Sequence, residues 1–95
     1  LDIDGDGPFI VDWKTAKEIR SDDMIEQFCH QLGAYSLGLQ CLTGIKPKYG
    51  AVVVARRSGK PQIKLLNNLE LRGAETIFLD RVERYFKNLD NLAVV

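Results

Sequence analysis

Asp12 and Lys14 stand two residues apart at the end of the apolar run Pro8-Phe9-Ile10-Val11, with Trp13 between them. In a strand, residues i and i+2 project from the same face. A carboxylate and an ammonium would thus emerge side by side from a strand whose beginning is buried. Carboxylate oxygens are hard ligands that suit Mg²⁺. A neighbouring ammonium can activate a water or neutralise charge building on a phosphate. The pair therefore suits metal-assisted hydrolysis of a phosphodiester. The competing reading is a plain ion pair on an exposed strand, which contributes little. The setting favours chemistry: an apolar strand precedes the pair and a helix follows it.

Gln27, Gln31 and Tyr35 recur at helical spacing and line one stripe beside the apolar face of that helix. Polar groups there can reach the end of the sheet where Asp12 and Lys14 emerge. Gln31 is placed to hold the lysine or a phosphate, and Tyr35 to stack on or hydrogen-bond to a substrate. The alternative is a solvent-facing glutamine and a boundary tyrosine. His30 is the sole histidine, and on a helix flank it reads as structural rather than as a base. No Ser/His/Asp set, Walker loop or G-x-G-x-x-G is present. Gly33 and Gly38 read as points of close packing against the sheet.

The elements that must position these groups follow from patterning. Residues 1–4 read as the end of a strand, and Gly5-Asp6-Gly7 as a turn. Residues 8–15 form the next strand and 16–21 a charged connection. Ser21 or Asp22 caps a helix whose stripe positions, Ile25, Phe28, Cys29, Leu32, Ser36 or Tyr35, Leu39 and Leu42, recur at helical period. Thr43-Gly44 ends it. Residues 49–57 and 62–66 make a hairpin around Ser58-Gly59-Lys60-Pro61. Asn67 or Asn68 caps a last helix with the stripe Leu71, Ala74, Phe78, Val82, Tyr85, Phe86 and Leu89. The segment 90–95 is undecided. The order is β-β-α-β-β-α: an α/β fold in which a mixed sheet is flanked by helices.

Ninety-five residues with 45% hydrophobic content make one small globular domain. The net charge of zero hides an asymmetry. Residues 1–26 hold eight acids and three bases, whereas residues 46–66 hold six bases and no acid. Acidic ligands near a basic track are what a metal-dependent nuclease requires. The alternative for the hairpin is lysines that blunt a sheet edge. Cys29 and Cys41 lie about 18 Å apart on one helix, too far to pair. They read as small core residues of a reduced, intracellular protein. No signal peptide and no apolar run of membrane-spanning length is visible, so no membrane partner is expected. The chain begins at Leu1 rather than Met and reads as a piece of a longer protein.

Asp2-Ile3-Asp4-Gly5-Asp6-Gly7 looks like the start of a calcium loop. The positions that should supply its later ligands are Ile10 and Trp13, which cannot. It reads instead as a polar hairpin turn. In that hairpin register Asp12 faces a residue upstream of Leu1, so a second carboxylate for the site falls before the chain begins.

The strand Ile10-Val11-Asp12-Trp13-Lys14-Thr15 resembles the D-x-K strand of the PD-(D/E)xK nucleases, which share a restriction-endonuclease-like fold. Gln31-Leu32-Gly33-Ala34-Tyr35 resembles the Q-x-x-x-Y motif of the RecB-type branch. The Leu37-Gly38-Leu39 continuation and the later hairpin are similar to the phage and mitochondrial-genome-maintenance-type exonucleases. The resemblance covers most of the chain as the C-terminal part of that fold. It implies that Asp12 ligates Mg²⁺ or Mn²⁺, with the Trp13 carbonyl as a further ligand. Lys14 would position the attacking water and stabilise charge at phosphorus. Gln31 and Tyr35 would support the lysine and the DNA backbone. Independently of the resemblance, the basic hairpin is expected to contact nucleic acid through Arg56, Arg57 and Lys60. The family's other metal-binding Asp has no counterpart within the chain. The expectation is a divalent-metal-dependent DNA exonuclease of repair, recombination or phage replication. Its rivals are a non-catalytic nucleic-acid-binding module and an inactive nuclease fragment.

Overall fold

The computed structural model describes residues 7–93, with side chains to residue 88. Five elements follow in order: β1 (Phe9–Ala16), α1 (Asp22–Thr43), β2 (Tyr49–Arg56), β3 (Gln62–Leu66) and α2 (Asn68–Ala93). The fold is a small α/β domain with a three-stranded mixed sheet in the order β1-β2-β3. β1 and β2 are parallel and joined through α1, and β2 and β3 are antiparallel. The order among the described residues is β-α-β-β-α; the expected leading strand at 1–4, and the turn preceding Gly7, lie outside them. The hairpin register drawn from them also falls outside.

Local chemistry sets the boundaries. Ser21 is the N-cap of α1, and its hydroxyl accepts from the Met24 amide at 3.2 Å. Asp22 and Asp23 in the first turn suit the positive end of the helix. Gly44 closes α1 in the left-handed conformation at φ 76°, which glycine adopts without a Cβ penalty. Asn67 and Glu70 form a reciprocal cap on α2: the Glu70 amide donates to Asn67 Oδ1 at 2.8 Å, and the Asn67 amide to Glu70 Oε1 at 3.1 Å. The helix runs on through most of the segment that patterning left undecided.

Both helices cover one face of the sheet. Leu32, Val52, Val54, Leu66 and Leu71 form the buried core there, with Ile10, Ala16, Ile25, Phe28 and Cys29 packed against it. Gly50 leaves the space that Leu32 fills, since a Cβ on it would sit 2.7 Å from Leu32 Cδ2. Gly33 differs from expectation. It packs against the backbone of α2 at Ala74 and Glu75 rather than against the sheet. Gly38 has open space where a Cβ would be. The far ends of both apolar stripes are also uncovered: Leu42 is 88% exposed, and Tyr85 and Phe86 are exposed. Cys41 is exposed rather than a core residue, and Cys29 is half-buried. The sheet is shorter than either helix, so the last turns overhang it.

Where α1 crosses α2, the contact is polar and buried. Glu75 Oε2 accepts from Ser36 Oγ at 2.6 Å and from Gln40 Nε2 at 2.8 Å. Its other oxygen lies 3.1 Å from Arg72 Nε, and Arg72 also donates to the Pro47 carbonyl at 2.6 Å. A buried carboxylate costs free energy unless it is paired; here Oε2 accepts two hydrogen bonds, while Oε1 is ion-paired with Arg72 Nε without hydrogen-bond geometry. The network fixes the register of α2 on α1. Among the described residues, no helix is long and apolar enough to cross a membrane.

Candidate active site

Asp12 and Lys14 lie on the helix-facing side of β1, opposite Val52 and Val54 of β2. Their side chains meet, with Lys14 Nζ 3.3 Å from Asp12 Oδ2. α1 supplies the other walls. Lys14 Nζ donates to Gln31 Oε1 at 2.9 Å and sits 5.0 Å from the centre of the Phe28 ring. Phe28 and Gln31 are three apart on α1, so one helical face delivers both. The ammonium is thus fixed by a carboxylate, an amide oxygen and an aromatic face. Asp12 is 13% exposed and Lys14 25%. At that burial the pair is less screened than a surface ion pair.

Asp12 Oδ2 lies within ion-pair reach of the lysine but accepts no hydrogen bond among the described residues, although it is buried. The approach to Lys14 is electrostatic without hydrogen-bond geometry. A buried carboxylate oxygen with free lone pairs suits a cation. The donor set is small: among the described residues no three His, Cys, Asp or Glu side chains group together as metal ligands. Mg²⁺ commonly takes only one or two protein carboxylates, completing its shell with waters and substrate phosphates. Asp12 supplies one such carboxylate.

The expected residues divide. Gln31 joins Asp12 and Lys14. Tyr35 does not: it is exposed and lines an apolar groove along the β1 edge with Trp13, Leu39 and Leu42. One further helical turn carries it about 6 Å along α1, past the lysine. Arg56 ends β2, Arg57 follows it, and Lys60 sits in the β2–β3 turn. Lys60 contributes its carbonyl, which accepts from Arg56 Nε at 2.8 Å. Sequence reading missed Phe28 as a partner of Lys14 and counted it only among apolar core positions. Its spacing from Gln31 was the available signal.

His30 and Cys29 line a different hollow, between α1, β3 and α2. Arg81 donates to His30 Nδ1 at 3.1 Å, and Nε2 faces Glu26 at 3.9 Å. The histidine is thus a bridge between helices, in line with its structural reading. Burial pushes the Cys29 thiol up; nearby Lys64 opposes this, while Glu70 and Glu26 add to it. Against known proteins, the chain matches no family model and no curated protein.

Proposed function

We propose that this domain belongs to a divalent-metal-dependent DNA nuclease of restriction-endonuclease-like fold, acting as an exonuclease on phosphodiester bonds. One observation carries the reading. Lys14 is fixed between Asp12, Gln31 and Phe28 rather than left as a surface ion pair. A lysine held this way presents a preorganised positive charge where a phosphate can approach. Asp12 would hold Mg²⁺ or Mn²⁺, with the Trp13 carbonyl next to it. When bound, such an ion supplies Lewis acidity at a phosphoryl oxygen. Lys14 offsets negative charge that develops in the transition state. Gln31 accepts a hydrogen bond from the ammonium and so aims its remaining donors. The Phe28 ring shields one side of the ammonium from water and strengthens its field. The two free thiols fit a reducing, intracellular setting.

The test is cleavage of end-labelled single- and double-stranded DNA with Mn²⁺ or Mg²⁺. Cleavage is expected to vanish in EDTA and to fall at least about a hundredfold in Lys14→Ala. Cleavage that is indifferent to Lys14→Ala would sink the mechanism. A protein that binds DNA without cutting it would favour the non-catalytic binding module.

A further inference from the structure

The connection from β1 to α1 is fixed in place. Gln62, the first residue of β3, grips it from both sides: the Arg20 amide donates to Gln62 Oε1 at 2.8 Å, and Gln62 Nε2 donates to the Arg20 carbonyl at 3.0 Å. Across from it, Arg56 is braced by the β2–β3 turn through the Lys60 carbonyl. Its guanidinium lies over Gly59, where a Cβ would sit 2.9 Å from a terminal nitrogen. Gly59 also has φ 91°, so two constraints require glycine there. The Arg57 amide donates to the Ala16 carbonyl at 3.3 Å, which ties the ends of β1 and β2 together.

These fixed segments surround a hollow of about 720 Å³ lined by Lys17, Arg20, Arg56 and Arg57, with Glu18 as its one acid. It opens at the carboxyl ends of the two parallel strands, where open α/β sheets place their ligands. It begins at Thr15, the residue after Lys14 on β1. Thr15 itself faces away from Lys14, but Ala16, also in the lining, shares the face of Lys14 and lies two residues, about 6–7 Å, further along β1.

We propose that this hollow is a cradle for the backbone phosphates of a nucleic-acid strand, seating those next to the phosphate at Lys14, with Gln62 as its positioning residue. The assignment of nucleic acid rests on the function proposed above. Guanidinium forks match phosphate geometry, and preorganised ones lose less entropy on binding. The Lys60 carbonyl braces Arg56, and Lys17 and Arg20 join Arg56 and Arg57 in the lining.

The full chain would be titrated with a short fluorescent oligonucleotide in EDTA across a range of salt. The double variant Arg56→Gln/Arg57→Gln should bind at least about tenfold more weakly at low salt. Its log–log salt slope should shrink by roughly 1.4–1.8, two phosphate contacts' worth. Gln62→Ala leaves the charge count unchanged, so weaker binding at an unchanged thermal midpoint reads out positioning. Unaltered affinity and slope in the double variant would overturn the cradle, as would no binding by the parent. Competition by inorganic polyphosphate equal to that by DNA, per phosphate, would overturn the nucleic-acid assignment. The cradle and the chemistry fail separately. Binding without cleavage removes the nuclease reading alone. Cleavage with unaltered binding by the double variant removes the cradle alone.

Discussion

Lys14 shows how little chain a site of this kind needs. Three partners fix it, and two of them come from one turn of α1. Glu70 shows the same economy in a structural role. Its carboxyl is held below the usual carboxylate range chiefly by the hydrogen bond from the Asn67 amide; desolvation opposes this, and Lys64 at 3.5 Å adds a further lowering. A carboxylate whose folded pKa is depressed stabilises the fold at pH above its unfolded pKa. That contribution is lost as pH falls through the folded pKa. The thermal midpoint of the parent should therefore exceed that of Glu70→Gln at neutral pH. The gap should close on acidification to below the ordinary glutamate range. A gap that persists unchanged in acid would show that the charge of Glu70 contributes nothing through this cap.

Among the elements, the crossing of α1 and α2 is the tightest joint. A Cβ at Gly33 would overlap the Ala74 carbonyl carbon and sit 2.6 Å from its oxygen and 2.7 Å from the Glu75 nitrogen. Backbone cannot swing aside as a side chain can, so the helices would have to separate and strain the Ser36–Glu75–Gln40 bonds. Gly33→Ala should cost about 2–3 kcal/mol in urea unfolding. Gly38→Ala is the internal control. Its Cβ meets nothing within 4 Å, and it should be neutral or stabilising by up to about 1 kcal/mol. Equal unfolding midpoints for the two variants would rule out the close helix approach.

Across the whole molecule, one helical layer lies on one face of the sheet, giving extents of 52 × 34 × 20 Å. The other face carries Val11, Trp13, Ala51, Val53, Ile63 and Leu65 by strand alternation and register. Trp13 is 70% exposed, and Ile63 and Leu65 are also exposed. A charge placed there in this chain removes little burial, so Leu65→Lys should shift stability by less than about 0.5 kcal/mol. A much larger loss in thermal unfolding would show that Leu65 is covered in solution.

Sequence alone determined what is local. Helix limits were legible because caps act within three or four residues: Ser21, Gly44 and Asn67 fall where patterning placed them. The hairpin was legible because the β-branched run Val52-Val53-Val54 leads into a turn holding Gly59 and Pro61, and the Asp12–Lys14 pairing because strand alternation is a backbone property. Gln31 was legible through helical spacing, yet the same spacing also selected Tyr35, which the structure leaves at the β1 edge. Periodicity names a stripe on a helix; only packing decides which turn of that stripe meets the strand. Tertiary structure likewise decided that Gly33 faces a helix rather than the sheet, that Cys41 is exposed, and that Gln62 reaches Arg20 forty-two residues away. These outcomes depend on where separate elements come to rest against one another, and no spacing within a single element encodes that.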